Sequence, residues 1–350
     1  MPKVDMCILR LTVMGHIIRV KYNVLGCGHL SCLTDDFFCA ECLMDIGVFY
    51  IGPVGFKFKI PEGCCVERAP ADFDSTVFDE ASCVYNVTVR VWEPCAESGG
   101  FFIDGIPGME VFENPEFREY KIEDGVMRHH FGKISGENMV FLKSSLRGNQ
   151  LEIAVPDYGV WPMGRERGIW AYLMLEKLLI REDAFILHSA SVIYEGGAVL
   201  FTAPSETGKS TQADLWKKCL GATGFNGDRN ILLRRGGKWF VCGIPWCGTS
   251  RDCENGIYPL RAIAVVRQAD EDSIKELSQV EKILDISGEM TKNSWDRRFV
   301  ERAIDLAALL TKEALVVQLN CTMQESAVFC LQEYILKNEV CGVAGENGIF

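Results

Sequence analysis

The sequence predicts an α/β protein of two domains, a smaller and mostly β N-terminal one followed by an α/β one. Three observations carry this expectation. Short runs of alternating apolar and polar residues, split by turn signals, fill residues 51 to about 151. Beyond residue 160, apolar strands alternate with amphipathic stretches of helix length. Among these, an apolar strand runs through a short loop into Gly208-Lys209-Ser210-Thr211 and then a helix-compatible stretch.

Taken in order, residues 1–47 form a cysteine-rich extension, 48–160 the mostly β domain and 161–340 the α/β domain. Gly55–Ile60 and Tyr85–Trp92 alternate as half-buried strands do, and Met139–Leu142 is a short apolar run. Pro61-Glu-Gly63, Ser98-Gly-Gly100 and Asp104-Gly105 supply the turns. A helix is expected from about Arg165 to Arg181, with Ile169, Leu173, Leu175, Leu178 and Leu179 on its buried face. Ser189–Tyr194 and Ala198–Thr202 then read as a hairpin about Glu195-Gly-Gly197, whose glycines meet the need for positive φ. Further strands are expected at Asn230–Leu233, Lys238–Cys242, Leu260–Val266 and Ala314–Leu319, and helices at Ser210–Lys218, Trp295–Lys312 and Gln324–Lys337.

Composition narrows the function classes. A chain of 350 residues, 48% apolar and 24% charged, has room for two domains and the balance of a globular protein. No run reaches the ~18 uncharged apolar residues of a membrane helix. The most apolar stretch, Ile169–Ile180, carries Glu176 and Lys177. The first apolar run is broken by Arg10, His16 and Arg19 and lacks a small-residue cleavage site, so the cytoplasm is the expected address. A formal charge of -12 argues against general nucleic-acid binding, which needs a basic face. Sixteen cysteines in such a compartment read as reduced thiols, with Cys219, Cys242, Cys330 and Cys341 as small core residues.

The passage Ala203-Pro204-Ser205-Glu206-Thr207-Gly208-Lys209-Ser210-Thr211 has the chemistry of a phosphate-binding loop. Backbone N–H groups of a tight loop turn toward phosphate oxygens, and the following helix adds its positive end. Lys209 would reach the β- and γ-phosphates of ATP, and Ser210 would offer its hydroxyl to Mg²⁺. Ala203 stands where the usual pattern has its first glycine. Glu206 brings a carboxylate into a nest built for anions, which requires its side chain to turn outward.

With Leu187-His-Ser-Ala-Ser191 ahead of the hairpin, Asn226-Gly-Asp-Arg229 after the loop helix and Pro245-Trp-Cys-Gly-Thr-Ser250, the chain resembles the HPr kinase/phosphorylase and phosphoenolpyruvate carboxykinase type of P-loop kinase domain. It looks most of all like the HPr-kinase-like bacterial proteins found beside peptide-modification genes. The resemblance covers roughly residues 165–337. It implies an ATP- and Mg²⁺-dependent kinase acting on a serine or threonine hydroxyl of a protein or peptide. It also suggests assembly into homo-oligomers. Asp228 matches the family's acidic segment as base or metal ligand, but Gly227 occupies the place of a second aspartate. His188 matches the histidine beside the phosphates. Arg229 and Arg251 would neutralise phosphate charge, and Trp246 and Cys247 would line the pocket or pack in the core.

Cys27, Cys32, Cys39 and Cys42, with His29 among them, offer a candidate zinc site in the extension. The alternative to a phosphotransferase is a nucleotide-binding regulatory or scaffold protein without phosphoryl transfer, favoured by Glu206 and the missing second aspartate.

Overall fold

The computed structural model describes residues 5–13, 16–24, 43–61, 66–67, 73, 83–92, 108–134, 137–156, 161–162, 172–246, 248, 250 and 252–346. The chain divides into two compact units, Met1–Glu41 and Cys42–Phe350. In the first, β1 (Asp5–Val13) and β2 (His16–Val24) form an antiparallel hairpin. The zinc-ligand candidates Cys27, Cys32, Cys39 and Cys42 lie outside the described residues.

The second unit is mixed α/β, with two eight-stranded sheets. The first sheet contains β3 (Leu43–Ile51), β4 (Val54–Pro61), β6 (Cys83–Trp92), β7 (Met109–Glu113), β8 (Phe117–Ile122), β9 (Gly125–Ile134), β10 (Glu137–Arg147) and β11 (Gln150–Pro156) in the order β3-β4-β6-β11-β10-β9-β8-β7. A short parallel pair joins β5 (Val66–Glu67) to β12 (Trp161–Pro162). Period-two alternation sets the inner face of the first sheet. Val54, Phe56, Phe58 and Ile60 are buried, while Lys59 between the last two is exposed. Tyr85, Val87, Leu151 and Ile153 continue that face on the neighbouring strands. Each large side chain so buried contributes about 1.5–3 kcal/mol.

The expected helix over 165–181 is short in the described residues. Met174 has φ 52, a left-handed conformation that no α-helix passes through, so α1 spans only Leu175–Leu179 and continues as a single 3₁₀ turn to Glu182. Residues 165–171 lie outside the described residues. Leu175, Leu178 and Leu179 join a core that the first sheet shares with Ala184, Ile186, Ile231, Leu233 and Cys242 of the second.

The second sheet is built from β13 (Ala184–Tyr194), β14 (Gly197–Thr202), β15 (Thr223–Asn226), β16 (Arg229–Arg235), β17 (Lys238–Cys242), β18 (Ile257–Gln268), β19 (Ser273–Lys275) and β20 (Val316–Cys321). Its path is β14-β13-β16-β17-β18-β20-β19, and β14 also pairs with β18, so the first five strands of that path close into a ring. The hairpin between β13 and β14 has a two-residue turn. Its positive φ angles fall on Glu195 and Gly196, whereas Gly197 is already paired with Tyr194. A Cβ at Gly197 would instead meet the Arg261 side chain.

The helices α2 (Lys209–Leu220), α3 (Gln279–Glu289), α4 (Arg297–Glu313) and α5 (Glu325–Glu346) cover this sheet. Every residue of β14 is buried, because Val199 and Phe201 pack with Trp216 of α2 and Leu331 of α5, while Ala198 and Leu200 pack with Ile286 of α3 and Phe299 of α4. Cys242 and Cys321 are buried among these groups, Cys219 and Cys330 only partly. Among the described residues no helix is long and apolar enough to cross a membrane.

Candidate functional site

The line of strands places the predicted residues at one level of the sheet. β13 pairs with β16 from Ala184 to His188 and with β14 from Ser189 to Tyr194. On the edge facing β15 and β16, the ladder breaks at Gly227-Asp228, where the Ser189 N–H donates to the Asp228 carbonyl at 3.0 Å. On the other edge Ser189 pairs with Thr202, the last residue of β14 before the loop. The loop start, His188 and Asp228 therefore converge across three adjacent strands.

The loop itself is turned, not extended. Glu206 has φ 64 and Gly208 has φ 107, and the Thr207 hydroxyl donates to the Pro204 carbonyl at 2.8 Å. A Cβ on Gly208 would meet the flexible thioether end of Met323, which follows β20 and would have to shift, but it is the positive φ that calls for glycine here. Pro204, Ser205 and Glu206 are exposed, Thr207 and Gly208 half-buried, and Ser210 and Thr211 exposed on the first turn of α2. No side chain caps α2, and its first turn carries no acidic residue. By contrast α3 has a full capping box from Ser278 and Glu281, and α4 is capped by Asp296. The first N–H groups of α2 are thus left for an external acceptor.

Lys209 is the most buried charge of the loop, at 7% exposure. Its Nζ donates to the carbonyls of Ala203 and Pro204 at 2.7 and 3.0 Å. Burial pushes the ammonium below the ordinary lysine value, and the charges of Glu289 and Asp228 pull against that shift.

Opposite the loop, His188 stands between two carboxylates. Its Nδ1 lies 3.1 Å from Glu289 Oε2, and its Nε2 lies 3.5 Å from Asp228 Oδ1. A ring with one proton can serve one of these oxygens, whereas an imidazolium serves both. The hydrogen bond with His188 holds the Asp228 carboxyl below its usual range; burial opposes this, and the charges of Arg229, His188 and Lys209 reinforce it. Arg229 Nε is 3.3 Å from the other Asp228 oxygen, and its Nη1 donates to Thr291 Oγ1 at 2.8 Å. Among the described residues no group of three or more His, Cys, Asp or Glu side chains is placed to hold a metal ion.

Asn226 builds the turn that presents Asp228. Its Oδ1 accepts from the N–H groups of Asp228 and Arg229, both at 3.0 Å, and its Nδ2 donates to the carbonyls of Ile244 and Trp246. Ser191 and Asn230 lock the same turn from β13 and β16. Trp246 packs against the core shared by the two sheets. Cys247 and Arg251 lie outside the described residues.

Sequence reasoning assigns no role to Glu289, Thr291 or Met323. Glu289 sits 101 positions from His188 and belongs to no motif. Asn226 reads in the sequence only as the first residue of a turn, and nothing local marks it as the fully buried hub of four hydrogen bonds.

No family model matches the chain, and no curated protein matches it significantly. Among solved structures, the HPr(Ser) kinase/phosphatase from Coxiella burnetii is similar at 10% sequence identity and a TM-score of 0.29, over 47% of this chain and 99% of that one.

Proposed function

We propose that this chain is an ATP- and Mg²⁺-dependent phosphotransferase that moves the γ-phosphate to a serine or threonine hydroxyl of a protein or peptide. The position of Lys209 carries the reading. It is a buried ammonium held only by two loop carbonyls, at an uncapped helix N-terminus, within the electrostatic reach of Asp228 and Glu289. Burying a cation costs several kcal/mol unless it meets strong partners. Phosphate oxygens would replace neutral carbonyls with charged acceptors, roughly doubling the strength of each bond.

The N–H groups of residues 205–211 would cradle the phosphates, with Arg229 and the predicted Arg251 opposing their charge. Ser210 and Asp228 are the residues that would hold Mg²⁺, which supplies charge neutralisation when bound and keeps several of its waters. That habit fits a site with few chelating side chains. With one carboxylate for two jobs, Asp228, ionised and aimed by His188, would take the proton from the acceptor hydroxyl where water fills its place on Mg²⁺.

The second reading, a nucleotide-binding regulatory or scaffold protein without phosphoryl transfer, is favoured by the exposed Glu206 carboxylate in the loop and by the single aspartate of the 226–229 turn. Titrating MgATP by calorimetry and following ADP release with serine- and threonine-containing peptides separates the two. Lys209→Ala is expected to lower turnover about a hundredfold or more. Equal turnover in both proteins removes Lys209 from the mechanism, and binding without turnover favours the second reading.

A further inference from the structure

We infer that Glu289 is a positioning residue, which fixes the ring of His188 and, through it, the carboxylate of Asp228 at the mouth of the loop. Its consequence for turnover rests on the phosphotransfer reading; its geometry does not. Three consecutive residues at the end of α3 grip the site. Glu289 meets His188 Nδ1 at 3.1 Å. Met290 bridges Leu187, and the Thr291 N–H donates to the Ile186 carbonyl at 2.9 Å. The Thr291 hydroxyl accepts from Arg229. The segment thus lies along the edge of β13 just before β14 takes that edge over at Ser189.

The segment is itself held firmly. The capping box fixes the start of α3, and Ile286, three residues before Glu289, is fully buried. Glu289 is only 17% exposed, and a carboxylate that far out of water needs a hydrogen-bonded partner, which His188 provides. An imidazole ring is otherwise loosely restrained about χ2. With Nδ1 pinned, Nε2 can point only toward Asp228. The site therefore does contain a second carboxylate, but it comes from α3 and not from the 226–229 turn. It acts on the ring and not on a reacting hydroxyl.

The test uses the full chain with Glu289→Gln, which keeps the size and removes the charge, and with Glu289→Asp, which keeps the charge and shortens the reach. The ring ¹⁵N signals of His188, assigned by their loss in His188→Gln, report the contact directly. Glu289→Gln is expected to move the Nδ1 signal and to slow ADP release from MgATP about tenfold or more. MgADP affinity is expected to stay within about threefold. Glu289→Asp is expected to fall between the two and carries the same readout if the glutamine variant does not fold. Ring signals that superimpose on those of the parent protein overturn the inference. If the parent neither binds MgADP nor releases ADP, the phosphotransfer reading falls, and the ring signals alone decide the role of Glu289.

Discussion

Among the described residues, two clusters of buried charge are built on different plans. Where β8 and β9 meet α1 and the turn into α4, Arg128 reaches Glu119 at 2.8 Å and Glu176 at 2.7 Å, and Lys177 reaches Glu119 at 3.1 Å. Trp295 Nε1 donates to Glu119, Asn293 Oδ1 accepts from Arg128, and the Phe117 ring lies under the guanidinium at 4.6 Å. The side chains of Arg128, Glu119 and Lys177 are 7% exposed or less. The cluster around Lys209 has contacts of 3.3 and 3.5 Å at Asp228, and its His188 and Asp228 side chains are 23% and 32% exposed. The first is a nearly closed circuit: Lys177 also lies 3.5 Å from the exposed Asp296, and the buried Nδ2 of Asn293 has no hydrogen-bond partner. The second stands closer to solvent. Buried charge alone does not mark a site.

The largest expected effect comes from breaking the closed circuit. Arg128→Met leaves Glu176 without its ion-pair partner and Glu119 with Lys177 alone, and should cost about 3–5 kcal/mol of stability by denaturant unfolding. It should leave MgADP affinity nearly unchanged in the protein that remains folded. The effect has a pH signature. Burial alone would raise the Glu176 pKa, but the charge and hydrogen bond of Arg128, followed by Lys177, outweigh it and leave the group below the ordinary glutamate value. Its stabilising contribution is therefore present above that ordinary value and is lost as pH falls through the depressed one. In the variant the carboxyl protonates earlier and the uncompensated charge disappears. The stability gap between the two proteins should be widest near neutrality and shrink in acid. A gap that widens in acid would contradict this account.

Asn226→Ala comes next, because there stability and the site depend on one side chain. It strips two backbone N–H groups and two carbonyls of the partner that a fully buried side chain supplies. The cost should be about 2–3 kcal/mol. Unlike Arg128→Met, the substitution should also weaken MgADP binding and slow turnover, since Asp228 loses the turn that presents it. Calorimetry on the folded fraction separates these effects, and unchanged affinity would detach the turn from the site.

The two clusters also differ in how legible they are in the sequence. β14, the loop and α2 stand where apolar run, glycine spacing and helix pattern put them, since Gly197–Thr202 and Lys209–Leu220 are local signals. Glu289 is illegible for two reasons. Its helix has Val280 and Leu284 exposed and Ile286 buried, so apolar residues fall on both faces and no clean period emerges. Its partner His188 is also distant in sequence. The β8–β9 hairpin escapes for a related reason. Glu119 and Arg128 pair directly across the two strands at buried positions, so the inward face carries charges where alternation predicts apolar side chains. Long-range pairing of charges is invisible to a pattern that scores residues by polarity.

The smallest effect probes the open cluster alone. Glu206 holds φ 64 in the exposed stretch of the loop, a conformation that costs a non-glycine residue about 1 kcal/mol. Glu206→Gly relieves that cost but gives the unfolded chain more freedom, which offsets about 0.4–1 kcal/mol of the gain. Stability should therefore change by only a few tenths of a kcal/mol. Affinity should change more, because the glycine variant no longer presents a carboxylate to a polyphosphate. An exposed charge at this range is worth about 0.2–1 kcal/mol, so MgATP should bind up to about fivefold more tightly at low salt and lose the advantage at high salt. If Glu206 is what holds the protein to a binding role, turnover should rise with affinity. If affinity rises and ADP release does not, the loop charge tunes binding only, and the limit on transfer lies with Asp228 and its neighbours.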